Sequence, residues 1–238
     1  MHKHYGDNEA GRDFVVGDIH GCTEALQVLL AEANFDTEID RLFAVGDLAD
    51  RGPDSIGALA LLQEPWFHAV RGNHEQMLID IAADPSPENW NWWIENGGLW
   101  AKGITHAELQ EYAAECQALP LAISVGEGMN RFNVIHAEFM GDDAAMDAGQ
   151  YDDHVAARLM WGRSRVYKEF TPKDDGLSMT FCGHTIVPAI MQLGQQVYID
   201  TGAFATGALS LIEVVSGYMW QTRASDEEAR PITRSTHG

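Results

Sequence analysis

Six side chains able to ligate a metal stand just beyond short apolar runs of this 238-residue chain. They are Asp18 and His20 in GDIHG, Asp47 in GDLADRG, Asn73 in GNHE, His136 in IHAE and His184 in GHT. Mixed imidazole, carboxylate and carboxamide donors suit a borderline or hard divalent cation such as manganese, iron or zinc, and no thiolate set accompanies them. Six donors exceed the roughly three protein ligands of a single catalytic zinc. Two metals sharing one carboxylate fit the count better. A pair about 3.5–4 Å apart can clamp the attacking and leaving oxygens of an in-line displacement, the chemistry of many phosphatases and nucleases. Two dications outweigh Asp18, Asp47 and a bridging hydroxide in charge, so such a centre could hold a phosphate dianion even in an acidic protein.

Each motif also has a plainer reading. In GDLADRGP the residues Asp47, Asp50 and Arg51 sit between glycines and before a proline, the ordinary punctuation of a surface turn with a solvated ion pair. Asn73 could simply cap a helix. The argument for chemistry is conjunction: five motifs, each at a strand end, in an order that an α/β fold can bring together.

The elements that must position these residues alternate in the first half of the chain. RDFVVGD reads as a strand, followed by a helix carrying Ala25, Leu26, Leu29, Leu30 and Ala33 on one side, and then by the strand RLFAVGD. Residues 54–63 form a second helix, FHAVRG a third strand and HEQMLIDIAA a third helix. Strand-loop-helix repetition argues for a layered α/β fold with its ligand site at the carboxyl ends of the strands. Residues 84–120 read as a helical insertion, in which Thr105 and Glu108 make a capping box for a helix ending before Pro120. LAISV, RFNVIHA, SMTFCGH, QVYIDTG and ALSLIEV then follow as strands, interrupted by a helix around 152–161. The body spans 12–222; residues 1–11, with HKH near the start, and 223–238 read as flexible tails.

Composition narrows the setting. A formal charge of −21 and an acidic pI argue against nucleic acid or anionic membrane as partners. The start lacks the apolar run of a signal peptide, and no stretch approaches the roughly 18 apolar residues of a membrane span, so a cytoplasmic protein is expected. Cys22, Cys116 and Cys182 read as free thiols or small buried hydrophobes.

Taken together, GDIHGC, GDLADRGP, FHAVRGNHEQM, IHAE, WGR, CGHT and YIDTG resemble, in kind and order, the phosphoprotein phosphatases of the calcineurin-like metallophosphoesterase fold. The likeness is greatest to the bacteriophage lambda type of serine/threonine protein phosphatase and covers approximately residues 12–215. It implies an α/β fold with two mixed sheets packed as a central sandwich and flanked by helices. It also implies a dinuclear centre at one edge, with manganese the preferred metal and iron or zinc also accepted. Asp18 and His20 resemble ligands of one metal, Asn73, His136 and His184 ligands of the other, and Asp47 the bridge. The resemblance implies hydrolysis of phosphoserine and phosphothreonine in proteins or peptides by in-line attack of a metal-bridging hydroxide, with phosphotyrosine and small aryl phosphates as further substrates. Arg51 and Arg163 resemble the arginines that hold phosphate oxygens, His74 the general acid, and Asp50 its carboxylate partner. Arg165 could replace Arg163 if the local register is misread. Glu75 and Asp200 could orient ligands, or could serve a helix start and a turn. His68 and His154 read as structural. Trp90, Trp92 and Trp93 read as core rather than as a floor for substrate. Glu138 stands where close relatives carry aspartate.

Two rival readings share part of this pattern. A symmetrical dinucleoside tetraphosphate hydrolase shares the early motifs, but that group commonly lacks the equivalent of Asp50 and has GNHD where this chain has GNHE. A non-catalytic metal-binding scaffold is disfavoured because the ligands, His74, Asp50 and both arginines are intact.

Overall fold

The computed structural model describes residues 1–168 and 176–222. Five strands form one sheet: β2 (Asp13–Val16), β3 (Arg41–Ala44), β4 (Phe67–Ala69), β10 (Ser210–Glu213) and β11 (Met219–Gln221), in the order β11-β10-β2-β3-β4. The second sheet holds β1 (His2–Tyr5), β5 (Ala122–Val125), β6 (Phe132–Ile135), β7 (Met179–Cys182), β8 (Met191–Leu193) and β9 (Gln196–Tyr198), in the order β1-β5-β6-β7-β9-β8. Both sheets are mixed. β2, β3 and β4 run parallel with β10 antiparallel beside them, and β6, β7 and β9 run parallel between antiparallel β5 and β8.

Period-two side chains decide how the layers stack. Val15, Phe43 and Val45 meet Ile123, Val134, Phe181 and Ile199 between the sheets. Their neighbours Phe14, Val16, Leu42 and Ala44 face outward onto Leu26, Leu29 and Ala58 of two helices, α1 (Thr23–Glu32) and α2 (Ser55–Ala60). α6 (Asp143–Ala148) and α7 (Asp153–Trp161) cover the outer face of the other sheet through Met146 and Leu159, against Ile135 and Cys182. The result is the expected sandwich flanked by helices.

The first strand corrects one expectation. Residues 1–11 read as a tail, yet β1 pairs in parallel with β5. Its four residues, HKHY, are too few and too polar to show a strand pattern: His2 and His4 both reach Ser124 Oγ, at 3.0 and 2.9 Å, while Tyr5 packs on His68 and Phe43 of the other sheet. The tail expected at 223–238 lies outside the described residues.

α3 (Asn73–Ala83) leads to the insertion, made of α4 (Pro87–Glu95), a 3-10 turn at Gly98–Gly103 and α5 (His106–Ala118). Thr105 and Glu108 form the expected capping box. Leu78, Ile81, Trp93, Leu109 and Cys116 make a separate small core there. Two further short helices, α8 (Ser164–Lys168) and α9 (Ala203–Thr206), complete the described chain. Among the described residues no helix is long and apolar enough to cross a membrane, and all three cysteines are free.

Candidate functional site

The loops that leave β2, β3, β4, β6 and β7 at their carboxyl ends converge on one buried cluster. His20, Asp47, Asn73, His136 and His184 are each at most 6% exposed, as is Asp18. Asp47 is the hub: its carboxylate lies 3.5 Å from His20 Nε2 and 3.4 Å from His136 Nε2. Two groups of donor atoms are compact enough to hold a cation, His20–Asp47–His74 and Asp47–His136–His184, and Asp47 belongs to both.

The chemistry of these donors fits a cation better than it fits the atoms now facing one another. Backbone carbonyls of Ala49 and Val45 accept from Nδ1 of His20 and His136, at 2.8 Å each, which leaves both Nε2 atoms as lone-pair donors. His136 Nε2 then faces Asn73 Oδ1 at 2.9 Å, the Asp47 carboxylate, and His184 Nδ1 at 3.2 Å. A nitrogen lone pair, an amide oxygen and a carboxylate directed at one point call for a positive centre. Burial points the same way, pushing Asp18 well above the usual carboxylate range, with Asp200 and Asp47 adding to the shift. It also holds His20 and His184 down to about 3, keeping their imidazoles neutral and able to ligate. Burial opposes ionisation of Asp47 too, but the attraction of its histidine neighbours, His136 and His74 foremost, more than offsets this and holds its pKa well below the usual value. Asp18 sits to one side, its carboxylate accepting the His184 N–H at 3.0 and 3.2 Å.

The local backbone is strained to bring these groups together. Among the described residues only six non-glycine positions have positive φ, and five belong here: His20, Asp47, Asp50, Arg51 and His184. Left-handed conformations cost an L-residue roughly 1–2 kcal/mol each and persist where surrounding contacts over-determine them. Glu75 supplies such contacts, accepting from the N–H groups of Asp47, Leu48 and Gly72, all at 2.8 Å. It therefore orients the loop that carries Asp47, besides opening α3. Burial, with Asp47 nearby, raises Glu75 to about 7. Asp200 accepts from Gly202 N at 2.8 Å within its own turn and stands beside Asp18, and burial lifts it to about 6. At Gly183 a Cβ would overlap Asp18 Oδ1, so the backbone can pass this carboxylate only without a side chain.

His74 is buried at the hub. Its Nδ1 bonds Asp50 Oδ2 at 2.7 Å, and its Nε2 has no hydrogen-bond partner among the described residues and lies 3.9 Å from Asp47 Oδ2. Burial alone would lower its pKa, but Asp47 and Asp50 more than offset this and raise it. Arg51 and Arg163 are exposed at the mouth, each donating to a cluster imidazole: Arg51 Nη1 to His20 Nε2 at 2.8 Å, Arg163 Nε to His184 Nε2 at 3.0 Å. Arg165 is buried and donates to the Phe139 carbonyl, away from the mouth. His154 is exposed on α7, and His68 is stacked on Tyr5 and Phe43.

Four residues gain functional placement that sequence reasoning missed. Glu138 accepts from Arg158, from the Ser164 hydroxyl and from Arg165 N, fixing the turn that presents Arg163. Phe204 lies under the Arg51 guanidinium at 4.7 Å and edge-on to His20 at 5.0 Å. Trp93 and Trp100 donate their indole N–H groups to Asp50. Trp93 is core, as expected, whereas Trp92 is 44% exposed. Nothing in the residue pattern marks Phe204 or the indole bonds. Glu138 was visible in IHAE, but its partners lie in and just beyond α7.

Known proteins align with this architecture. Residues 14–188 match the calcineurin-like phosphoesterase family. The chain is 38% identical over 211 residues to serine/threonine-protein phosphatase 1 of Salmonella typhimurium, covering 84% of this chain and 91% of that protein. It is 32% identical to serine/threonine-protein phosphatase 2 of Escherichia coli, covering 84% of this chain and 92% of that protein. A symmetrical bis(5'-nucleosyl)-tetraphosphatase of Cellvibrio japonicus is 44% identical, but over only 29% of this chain and 26% of its own. A solved structure of a putative diadenosine tetraphosphatase shares the fold with a TM-score of 0.69 at 22% identity, covering 95% of this chain and 99% of that one.

Proposed function

The chain belongs to the calcineurin-like phosphoesterases, and on that premise we propose that it is a serine/threonine protein phosphatase cleaving phosphomonoesters of phosphorylated proteins or peptides. Asp18 and His20 would hold one divalent cation, Asn73, His136 and His184 a second, and Asp47 both. Manganese is the preferred ion for this donor set, with iron or zinc also accommodated. When bound, such ions neutralise phosphoryl oxygens and acidify water.

The chain's own residues supply the rest. Arg51 and Arg163 offer planar donors at the mouth, suited to phosphate oxygens in a way a point charge is not. His74 would protonate the departing seryl or threonyl oxygen from Nε2. The P–O bond to that oxygen breaks, a water oxygen joins phosphorus, and the proton from His74 completes the alcohol; one water proton stays on the phosphate and the other restores His74. An alkoxide leaves poorly, so this proton transfer matters most for alkyl phosphates. Phosphotyrosine and small aryl phosphates would be further substrates. The observation that carries the reading is the buried Asp50–His74 pair, whose free Nε2 is directed at the cluster. Its support from relatives is likeness to serine/threonine phosphatases over 84% of the chain, against likeness to tetraphosphatases over 29%.

One comparative assay tests the proposal. Manganese-loaded protein should turn over a phosphoserine protein faster than diadenosine tetraphosphate. Faster turnover of the dinucleotide would overturn the assignment, and turnover of neither would leave a scaffold.

A further inference from the structure

Asp50 and Arg51 are adjacent and both left-handed, with φ of 70° and 68°. For two successive non-glycine residues this is costly unless neighbours hold the backbone. Ser55 Oγ accepts from Asp50 N at 2.9 Å on one side. On the other, the Gly97 carbonyl of the insertion accepts from Arg51 N at 3.1 Å. Gly97 has φ of 114°, and a Cβ there would press on Arg51 N and Cγ at 2.6 and 2.7 Å. The insertion therefore lies directly against the segment that carries the acid's partner and one phosphate arginine.

Its side chains reach further. The Asp50 carboxylate receives three N–H donors: Trp100 Nε1 on Oδ1 at 2.6 Å, and Trp93 Nε1 and His74 Nδ1 on Oδ2 at 2.9 and 2.7 Å. Trp93 is fully buried, and the two indoles stand edge to face with centroids 5.8 Å apart. An indole N–H can only donate. With two indoles already donating, the carboxylate is held as an acceptor, and His74 Nδ1 carries a proton toward it. The imidazole is then fixed with Nε2 toward the cluster.

We propose that the insertion is a positioning element of the reaction, in which Trp93 and Trp100 fix the Asp50 carboxylate so that Asp50 holds His74 where it can protonate the leaving oxygen. This rests on the phosphomonoesterase reading. Neither tryptophan touches substrate; both act through Asp50. Losing an indole N–H while keeping the ring should loosen the carboxylate, misalign the imidazole and slow only the step that needs its proton.

The test compares two leaving groups on the manganese-loaded full chain. Trp100→Phe and Trp93→Phe each keep an aromatic side chain and remove the donor. For a phosphoserine peptide, kcat should fall about 10-fold, a fraction of the 10²–10⁴ that a general acid contributes. For an aryl phosphate with a good phenolate leaving group, kcat should change less than about 2-fold, because little proton donation is needed. In an Asp50→Asn background the same substitutions should add little further loss, since residues acting in one chain are not additive. Retained aryl phosphate turnover also reports that the variant is folded. Trp100 is only half-buried, so its variant carries the test if Trp93→Phe does not fold. Equal losses on both substrates, or no loss on either, would overturn the inference. A wild-type chain that hydrolyses neither phosphomonoester would instead overturn the reading beneath it.

Discussion

Two arginines two positions apart, Arg163 and Arg165, have similar chemistry and opposite situations. Arg163 is exposed at the mouth with Nε on His184, while Arg165 is buried beneath Glu138 and the Phe139 carbonyl. Spacing could not separate them, because WGRSR leaves the register at the end of α7 open; the hydrogen bonds of Glu138 turn Arg165 inward and leave Arg163 at the mouth. Arg163→Lys replaces a planar fork with a point charge and should lower kcat/KM for a phosphomonoester about 10²-fold, as loss of one preorganised donor does. The melting temperature should hardly move. Arg165→Lys should do the reverse, lowering the melting temperature through lost buried hydrogen bonds while sparing kcat/KM in the fraction that remains folded. Steady-state kinetics and thermal melts on both variants check the assignment, and the opposite pattern would exchange the two roles. The clustered Asp, His and Asn side chains were legible from sequence for a related reason: each stands at a strand end, and all but His136 have a glycine beside them. The indoles on Asp50 were not legible, since a tryptophan in a helical insertion looks the same whether or not its N–H has a partner.

At the scale of elements, strands written as apolar runs and helices with a periodic apolar side were readable, and short strands without an apolar run were not. β8 and β11 have three residues each, and β1 is HKHY, too brief and polar for periodicity to declare. What makes β1 a strand is tertiary: Tyr5 crosses from its own sheet to stack on His68 of β4 at 4.4 Å and to meet Phe43 of β3 edge-on at 5.6 Å. His68 is thereby enclosed. Burial, with Lys3 and Arg41 adding to it, lowers its pKa from 6.5 to about 4. A folded value below the unfolded one means that the unfolded chain takes the proton first as pH falls. The contribution of neutral His68 to stability is therefore complete above about 6.5 and is lost progressively as pH falls from there toward 4. Urea midpoints measured across that window should decline for the wild-type chain and decline less for His68→Phe, which keeps a ring between Tyr5 and Phe43. Identical slopes would mean that the stack leaves His68 as free to protonate as in the unfolded chain.

The whole molecule carries a charge that the site must work against. Among the described residues, four arginines are held by local carboxylates: Arg12 by Asp40, Arg41 by Asp13, Arg131 by Asp143 and Asp147, and Arg158 by Glu138. The net charge of −21 is thus borne mostly by solvated acids, while Arg51 and Arg163 stand at the mouth. A phosphopeptide approaching from a distance meets the field of the whole surface, and only at contact meets the arginines. These two ranges separate with salt, because the Debye length shrinks to about 8 Å at physiological ionic strength while contacts within the site are screened far less. Substrates sharing one phosphoserine but differing in flanking charge would feel the same arginines and opposite long-range fields. Raising sodium chloride from about 20 to 150 mM should therefore raise kcat/KM for an acidic-flanked phosphopeptide and lower it for a basic-flanked one, with kcat for each nearly constant. If both substrates respond alike, the surface charge has no part in encounter and the salt effect belongs to the site.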